Sequence, residues 1–397
     1  MTTERVSHRA ANFIVVTTIA VVTTLSLDMI VPSLTVISRD LATSYPNAQL
    51  TIGVFLFAYA FSQLTVNSVT AVLGEKKALV CALLLYTVGS IVCYLAPSII
   101  VLLVGRVLQA LGSAYGPVLA RAIVRTQFEG SELKSKLADL ATVAAIVPII
   151  APILGGYLTA VSGWRSNFIV LIVFGIAALL TVQLLFRFQN GQTVNRSRGS
   201  LDTLTKLFSD NGFRSGLILL SATYSMIFVY VSLAPRICVE DYHLEPHHFS
   251  YLFGMSIILY LLGTRLATVR FLEGKSRWFS LLTLVASTLA LTAALSPKYL
   301  VIPFEVFVLS ACLFNLSAGY FFPLGQSLLL SGQKNISAAA SSYGSFVQTV
   351  SAALISLLAT YLSNRTGAYI AVFACAMLTV GILQHAVASS ARWQTKR

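Results

Sequence analysis

Apolar residues occur along the chain in long blocks separated by short polar or charged stretches. Each block has about 20 residues or more, the length that an α-helix needs to cross the hydrocarbon core of a bilayer. We count twelve blocks bounded by charged or turn residues: 12–37, 48–71, 77–96, 99–124, 137–161, 166–187, 213–236, 249–271, 277–296, 299–323, 337–362 and 367–390. The pattern predicts an all-α membrane protein with twelve transmembrane helices. It excludes an outer-membrane barrel, whose strands alternate over short segments.

One long polar stretch, Arg187 to Arg214, divides the twelve blocks into two sets of six. We therefore predict an N-terminal six-helix half (1–187), a cytoplasmic central loop (188–212) and a C-terminal six-helix half (213–397). A weak echo, YLTAVSGWRSNFIV in the first half and YLSNRTGAYIAV in the second, favours an internal duplication. Transporters built from parallel repeats follow this plan, and their substrate site lies near the bilayer midplane between the halves. Within the loop, residues 200–209 could form a short amphipathic helix on the membrane surface.

The charge distribution predicts the orientation of the chain. The sequence is 56% hydrophobic and 10% charged, with 27 Lys and Arg against 14 Asp and Glu, a net charge of +13. With residue 1 in the cytoplasm, 21 basic residues face the cytoplasm, one lies in a span, and five lie outside. Those five are Arg39, Arg165, Arg236, Lys298 and Arg365. The positive-inside rule accounts for this excess, so both termini are predicted to be cytoplasmic and no nucleic-acid partner is expected.

Several kinds of chemistry are disfavoured by the sequence. The five cysteines are odd in number and scattered, mostly inside apolar blocks, which is typical of packing residues. His243, His247 and His248 have a spacing that could hold a metal, but they lie in a loop without acidic residues at fixed spacing. No cluster of catalytic side chains recurs within the spans. We expect no metal, no cofactor and no enzymatic activity.

The first block contains an acid, Asp28, in the stretch TTLSLDMIVPSL. Charged residues inside membranes are costly and usually functional. Pro32 follows four residues later and lacks the N–H that would pair with the Asp28 carbonyl in a helix. Asp28 is therefore predicted to be a proton carrier at a break in the helix. The alternative is an acid that only closes a structural hydrogen bond at a kink.

The fourth block contains a cation, Arg106, followed on the same helical face by Gln109 and Ser113. The rise per residue places Asp28 and Arg106 at depths of about 13 and 10 Å from the outer face, so the two side chains could meet across a cavity. Because arginine keeps its proton, it would compete with protons for the carboxylate. The alternative is an arginine held only by backbone carbonyls as a packing brace.

The fifth block, AAIVPIIAPILGG, combines Pro148 and Pro152 with Gly155 and Gly156. Each proline frees a carbonyl one turn back, and the small residues allow close approach of a neighbouring helix. We predict a bendable, tightly packed helix at a moving interface. A purely structural kink is the alternative.

In the remaining spans, Glu305 is the one acid within a block of the second half. It could be a second protonation site, or a glutamate that snorkels to the interface. Polar and aromatic residues that could line a substrate cavity, or equally serve in packing, are Tyr59, Gln63, Gln109, Ser113, Tyr224, Tyr230 and Tyr343.

Five stretches together point to a family: DMIVP at 28–32, RVLQALGSAYGPVLARAIVR from 106, APILGG at 151–156, GWRSNF at 163–168 and YVSLAPRICVEDYHLEPHHFSYLFG at 230–254. They resemble the multidrug/proton antiporters of the major facilitator superfamily, specifically the Bcr/CflA drug-resistance type. The resemblance covers most of the chain and is thinner after about residue 270. It implies two pseudo-symmetric six-helix halves, an embedded acid at Asp28, the fourth-helix arginine at Arg106, and the antiporter motif at Pro152, Gly155 and Gly156.

The sequence departs from the family pattern at three places. The loop after the second helix, NSVTAVLGEKK, keeps Gly74 but has Ala71 where an Asp is usual. A gating salt bridge from that Asp to a base such as Arg121 is therefore absent, or replaced by Glu75 or Asp139. Ala20 stands where some multidrug antiporters carry a second acid for cationic drugs. Val147 and the pair Ile150–Ala151 stand where glycines are commoner.

We therefore expect a proton-driven exporter of small, largely apolar compounds in the bacterial inner membrane. It would work by alternating access, as a monomer in the bilayer, with its substrate and protons as partners. The alternative is a carrier for one physiological metabolite, such as a siderophore or an amino acid, in either direction.

Overall fold

The computed structural model of this protein describes residues 2–186, 201–244, 246–268, 276–295, 304–330, 337–366 and 369–389. Within these ranges the chain is helical, with short turns and no strand. The chain forms two compact units, Met1–Arg196 and Ser197–Arg397.

The first unit contains nine α-helices, because two of its membrane spans are divided into shorter pieces. They are α1 Thr2–Ala20, α2 Val22–Asp28, α3 Leu34–Asp40, α4 Tyr45–Leu73, α5 Glu75–Tyr94, α6 Ile99–Ser113, α7 Tyr115–Gln127, α8 Gly130–Ser162 and α9 Arg165–Leu185. A 3-10 turn, Val31–Ser33, lies between α2 and α3.

In the second unit the described residues form seven α-helices. They are α10 Leu201–Ser209, α11 Asn211–Arg236, α12 Pro246–Leu266, α13 Ser276–Leu295, α14 Phe304–Leu329, α15 Ser337–Thr366 and α16 Tyr369–Ser389. A π-helical turn, Ile237–Asp241, continues α11. The short helix expected at 200–209 corresponds to α10, which packs through the buried Leu207 on Phe213 of its own unit.

Helix covers each of the twelve predicted blocks within the described residues. Ten spans are long and apolar enough to cross a membrane, including Ala11–Asp40, built from α1 to α3, and Ile99–Val124, built from α6 and α7. The predicted eighth and ninth spans correspond to α12 and α13. The predicted tenth span corresponds to α14, which extends to Leu329, beyond the predicted end at residue 323, since the helix continues through Pro323.

Glycines bring helices of the same unit into backbone contact. A Cβ added at Gly89 or Gly112 would overlap backbone atoms of Gln109 or Ala82, so α5 and α6 touch along two points. In the second unit, a Cβ at Gly319 would overlap the carbonyl oxygen of Tyr260 on α12. Small residues are the usual means of close helix approach in membranes, where no hydrophobic effect drives helices together. Each of these pairs is therefore a rigid part of its unit.

The second unit has a buried polar network at its centre. Thr283 of α13 donates to Ser317 of α14 (2.7 Å) and is 3.0 Å from the Gln384 side-chain oxygen on α16. The Gln384 amide donates to Thr223 of α11 at 3.3 Å. Four helices are thus joined by side-chain hydrogen bonds away from water.

Candidate functional site

The first membrane span is broken at the acid. The short helix α2 ends at Asp28, and Pro32 lies in the 3-10 turn that follows. The missing proline N–H explains why the regular hydrogen-bond ladder stops there. The side chain of Asp28 is half-buried, and among the described residues it has no hydrogen bond and no basic group within 4 Å. A second break, at Val21, separates α1 from α2.

Glycines of two other helices contact the backbone next to both breaks. A Cβ at Gly155 of α8 would overlap the carbonyl oxygen of Met29, the residue after Asp28. A Cβ at Gly116 of α7 would overlap the carbonyl oxygen of Ile19, just before the other break. The segment that bears the acid therefore runs between two points of direct backbone contact.

The fifth membrane span is a single helix, α8, that runs through both prolines. Pro152 and Gly156 are buried, and Pro148 is partly exposed. Four residues after Gly155, Thr159 donates to the Gly155 carbonyl (2.7 Å) and accepts from Ser33 (2.6 Å). The helix is thus bonded to the turn that follows the acid.

The C-terminal end of the first span is bonded to the GWRSNF stretch. Asn167 donates to Ser33 at 2.9 Å. The Asp40 carboxylate accepts from the Trp164 indole N–H (2.8 Å) and from Arg165 (2.6 Å), and Arg165 also donates to the Ala96 carbonyl at 2.9 Å. This contact set joins α3 to α9 and to the end of α5. The sequence showed the motif but not its function as an anchor.

Arg106 is completely buried on α6 and binds neutral acceptors. Its guanidinium group donates to the carbonyl oxygens of Thr51 (3.2 Å) and Ser26 (3.1 Å) and to the side-chain oxygen of Gln109. The ring of Phe55 lies 4.3 Å from the guanidinium carbon, in cation–π geometry. Its Nη2 atom is buried without a hydrogen-bond partner.

The expected meeting of Asp28 and Arg106 does not occur in this structure. Asp28 and Arg106 form no ion pair within 4 Å among the described residues. The guanidinium group of Arg106 donates instead to backbone carbonyls of α2 and α4. The geometry matches the alternative of an arginine brace. It binds the acid-bearing segment through Ser26, two residues before Asp28.

Three of the predicted cavity residues, Tyr59, Gln63 and Ser113, lie together in the first unit. The Tyr59 hydroxyl of α4 is beside the side chains of Gln63 and Thr23. Thr23 donates to the Ser113 carbonyl at 3.0 Å. Gln109, by contrast, is fully buried in the Arg106 cluster.

The candidate residues of the second unit mostly pack among apolar neighbours. The Tyr230 hydroxyl is 2.9 Å from that of Ser256, and its ring stacks on Phe253 at a centroid distance of 6.0 Å. Tyr343 packs beside the apolar cluster around Leu329. Tyr224 and Glu305 are more open: Tyr224 is half-buried, and the side chain of Glu305, in the first turn of α14, is exposed.

The loop after the second span forms a lysine cap. Gly74 has a φ of +79°, which favours glycine, and it starts α5. Lys76 then donates to the carbonyls of Gln183 (3.1 Å) and Phe186 (3.1 Å) at the C-terminal end of α9. A cation there satisfies free carbonyls and complements the helix dipole.

In the part of the chain that the structure describes, no acid replaces the one missing at Ala71 in an ion pair with Arg121. The Arg121 side chain is exposed and donates to the Pro117 carbonyl at 3.1 Å. Asp139 pairs instead with Lys136 of its own helix at 3.3 Å, and no ion pair between Arg121 and Glu75 occurs among the described side chains. Among the described residues, the predicted gating salt bridge at Arg121 is therefore absent.

Sequence reasoning missed Ser26, Tyr86 and Ser90, which complete the Arg106 cluster. The Ser26 hydroxyl is 2.8 Å from that of Tyr86, and Gln109 donates to Ser90 at 2.8 Å. One signal was available: Tyr86 and Ser90 are four residues apart, on the same helical face of an otherwise apolar block.

The comparisons with known proteins agree with this architecture. The model of the Major Facilitator Superfamily matches residues 16–355, and the chain belongs to this superfamily. It is therefore a multi-pass membrane protein with the major facilitator fold. A bacterial homologue of the human lysosomal transporter Spinster has a TM-score of 0.73 at 15% identity, covering 96% of this chain and 95% of that one.

Two curated relatives are similar over part of their length. The uncharacterized MFS-type transporter YdgK of Bacillus subtilis is 31% identical over 251 residues, 62% of each chain. The multidrug resistance protein MdtL of Shigella dysenteriae is 26% identical over 217 residues, 54% of each chain. The matches therefore span between about half and 62% of these relatives' lengths.

Proposed function

We propose that this protein is a proton-coupled exporter of small, largely apolar compounds, of the Bcr/CflA drug-resistance type, that works by alternating access. The observation that carries the proposal is the Asp28 carboxyl group, half-buried at a helix break inside a membrane span, with no hydrogen-bond or ion-pair partner among the described residues. Intramembrane acids are commonly proton relays or substrate sites. The likeness to MdtL, named as a multidrug resistance protein, supports the drug-resistance type.

The break gives protonation a mechanical consequence. A neutral carboxyl group can rest against apolar neighbours, whereas an ionised one needs water or a cation. Because α2 has a break at each end, a change at Asp28 can reorient this seven-residue helix while α1 and α3 keep their positions. Protonation would then shift the population between inward-open and outward-open states, provided that the two states bind the proton with different affinity.

Arg106 contributes a fixed positive charge close to this segment. In the described state the guanidinium braces Ser26, and its Nη2 atom remains a free donor. Ionised Asp28, or a substrate acceptor, could take that donor in another state. We propose this exchange of partners in place of a permanent ion pair.

Transport assays in vesicles test the proposed function. Purified protein in liposomes with an imposed pH gradient, acidic in the compartment that receives substrate, should concentrate members of a panel of uncharged apolar antibiotics and dyes. The gradient should drive several unrelated compounds, and collapsing it with a protonophore should stop the uptake. Concentration of a single metabolite would instead favour a specific carrier, and uptake indifferent to the gradient would refute proton coupling.

Both termini and the central loop are proposed to face the cytoplasm of a bacterial inner membrane. Alkaline phosphatase is active only outside the cytoplasm, so a fusion after residue 244 should be active, and fusions at residue 200 and at the C-terminus should be inactive. The excess of loop Lys and Arg on one side is the physical reason. An active fusion at residue 200 would reverse the orientation.

A further inference from the structure

A closed ring of hydrogen bonds includes Arg106 and the acid-bearing helix α2. Arg106 donates to the Ser26 carbonyl and to the Gln109 side chain. Gln109 donates to Ser90 (2.8 Å), and Ser90 donates to the Tyr86 carbonyl (2.9 Å). The hydroxyl groups of Tyr86 and Ser26, 2.8 Å apart, close the ring.

The direction of the last bond follows from the proton count. The Ser26 hydroxyl donates its one proton to the Val22 carbonyl at 2.6 Å. A serine hydroxyl has one donor and two acceptor sites, so the Tyr86 hydroxyl must be the donor to Ser26. Tyr86 and Ser26 are both completely buried, and water does not compete for this bond.

The ring joins two closely packed helices to one short helix. Tyr86, Ser90, Arg106 and Gln109 lie on α5 and α6, whose backbones touch at glycines. Ser26 lies on α2, a helix of seven residues with a break at each end. Hydrogen bonds hold α2 to α5 and α6 through the carbonyl and the hydroxyl of Ser26, and through the Thr23 hydroxyl, which donates to the Ser113 carbonyl at 3.0 Å.

We propose that Tyr86 is a positioning residue for the acid-bearing segment: its hydroxyl group holds Ser26, and with it Val22–Asp28, against the rigid pair formed by α5 and α6. The inference rests on the proposed proton coupling through Asp28. Holding Ser26 directs the Arg106 fork at its carbonyl and keeps the fork's free Nη2 atom away from the Asp28 carboxylate. Loss of the hydroxyl lets the segment turn, so that carboxylate and guanidinium can meet.

Few other ionisable groups face these residues. Tyr86 and Cys93 are the titratable neighbours of the Arg106 guanidinium. The elements packed on α2 are α1, α6, α7, α8 and α9, and their described side chains bring no basic group within 4 Å of the Asp28 carboxyl. Movement of α2 towards Arg106 is therefore the change in charge environment that a pH profile would report.

Hydrogen exchange of the full-length protein in lipid nanodiscs tests the proposal without a substrate. We expect Tyr86→Phe to lower the protection factor of Val22–Asp28 about fivefold, the change that loss of one hydrogen bond predicts. The pH midpoint of this protection should fall by about one unit, since a closer cation favours the ionised carboxyl. Ser26→Ala should lower the protection at least as much, because it also removes the bond to the Val22 carbonyl. The double variant should not differ from Ser26→Ala, because Tyr86 and Ser26 form one interaction.

A second tyrosine provides a matched control. Tyr230 is also buried, and its hydroxyl pairs at 2.9 Å with Ser256, which itself donates to a carbonyl one turn back. Tyr230→Phe should leave the protection and the midpoint of Val22–Asp28 as in the wild type. Lower protection with an unchanged midpoint in Tyr86→Phe would mean a packing role only, and no change in either would also overturn the proposal.

The two proposals can fail separately. If Asp28→Asn removes the pH dependence while Tyr86→Phe has no effect, only the positioning role is wrong. If Tyr86→Phe loosens the segment while Asp28→Asn still transports uphill, the proposed proton coupling through Asp28 is wrong and the tether remains.

Discussion

Asp28→Asn is expected to abolish accumulation of substrate driven by a pH gradient, while downhill exchange of a neutral substrate persists. Asparagine resembles the protonated carboxyl in shape and cannot exchange a proton. Asp28 is the last residue of α2, and its side chain has no hydrogen bond to any described residue, so folding should be preserved. Uptake in proteoliposomes, with and without an imposed gradient, measures the change.

Two variants sharpen this test. Asp139→Asn removes an exposed acid whose ion pair with Lys136 is a surface contact worth about 0–1 kcal/mol, so uphill transport should persist. Glu305→Gln removes the acid at the start of α14. If Asp28→Asn still accumulates substrate with unchanged pH dependence and Glu305→Gln does not, the proton is carried by Glu305.

Gly155→Leu is expected to stop transport without preventing membrane insertion. Even a Cβ at this position overlaps the Met29 carbonyl, so a larger side chain must separate α8 from the broken first span. Overpacking costs about 1–3 kcal/mol, and each 1.4 kcal/mol changes the balance between two conformations tenfold. Transport rate and the amount of protein in the membrane are the two measurements.

Related substitutions on the same helix separate packing from helix propensity. Gly155→Ala should already impair transport, because the overlap involves the Cβ itself. Ala144→Leu introduces the same side chain at an exposed position of α8 and should be tolerated. Gly156→Leu, at a buried position, should also reduce transport. Full activity in both Gly155→Leu and Gly156→Leu would mean that this face contacts lipid and has no gating role.

The location of the apolar helices followed from the sequence because hydrocarbon imposes a simple rule. A backbone in lipid must satisfy its own hydrogen bonds, so each apolar block of about 20 residues becomes a helix. The break at Asp28 was also predictable, since it depends only on a proline four residues away. The value of small residues at 155 and 156 could be inferred in the same local way.

The partners of each side chain were decided by the tertiary structure alone. Depth estimates placed Asp28 and Arg106 near one level, but rise per residue says nothing about which way a fork points. Arg106 instead binds the carbonyls of Ser26 on α2 and Thr51 on α4. Tyr86 and Ser26 come from sequence positions 60 residues apart, and no local pattern pairs them. Lipid determines the composition of the spans, whereas the packing of the helices determines which residues contact the segment that carries Asp28.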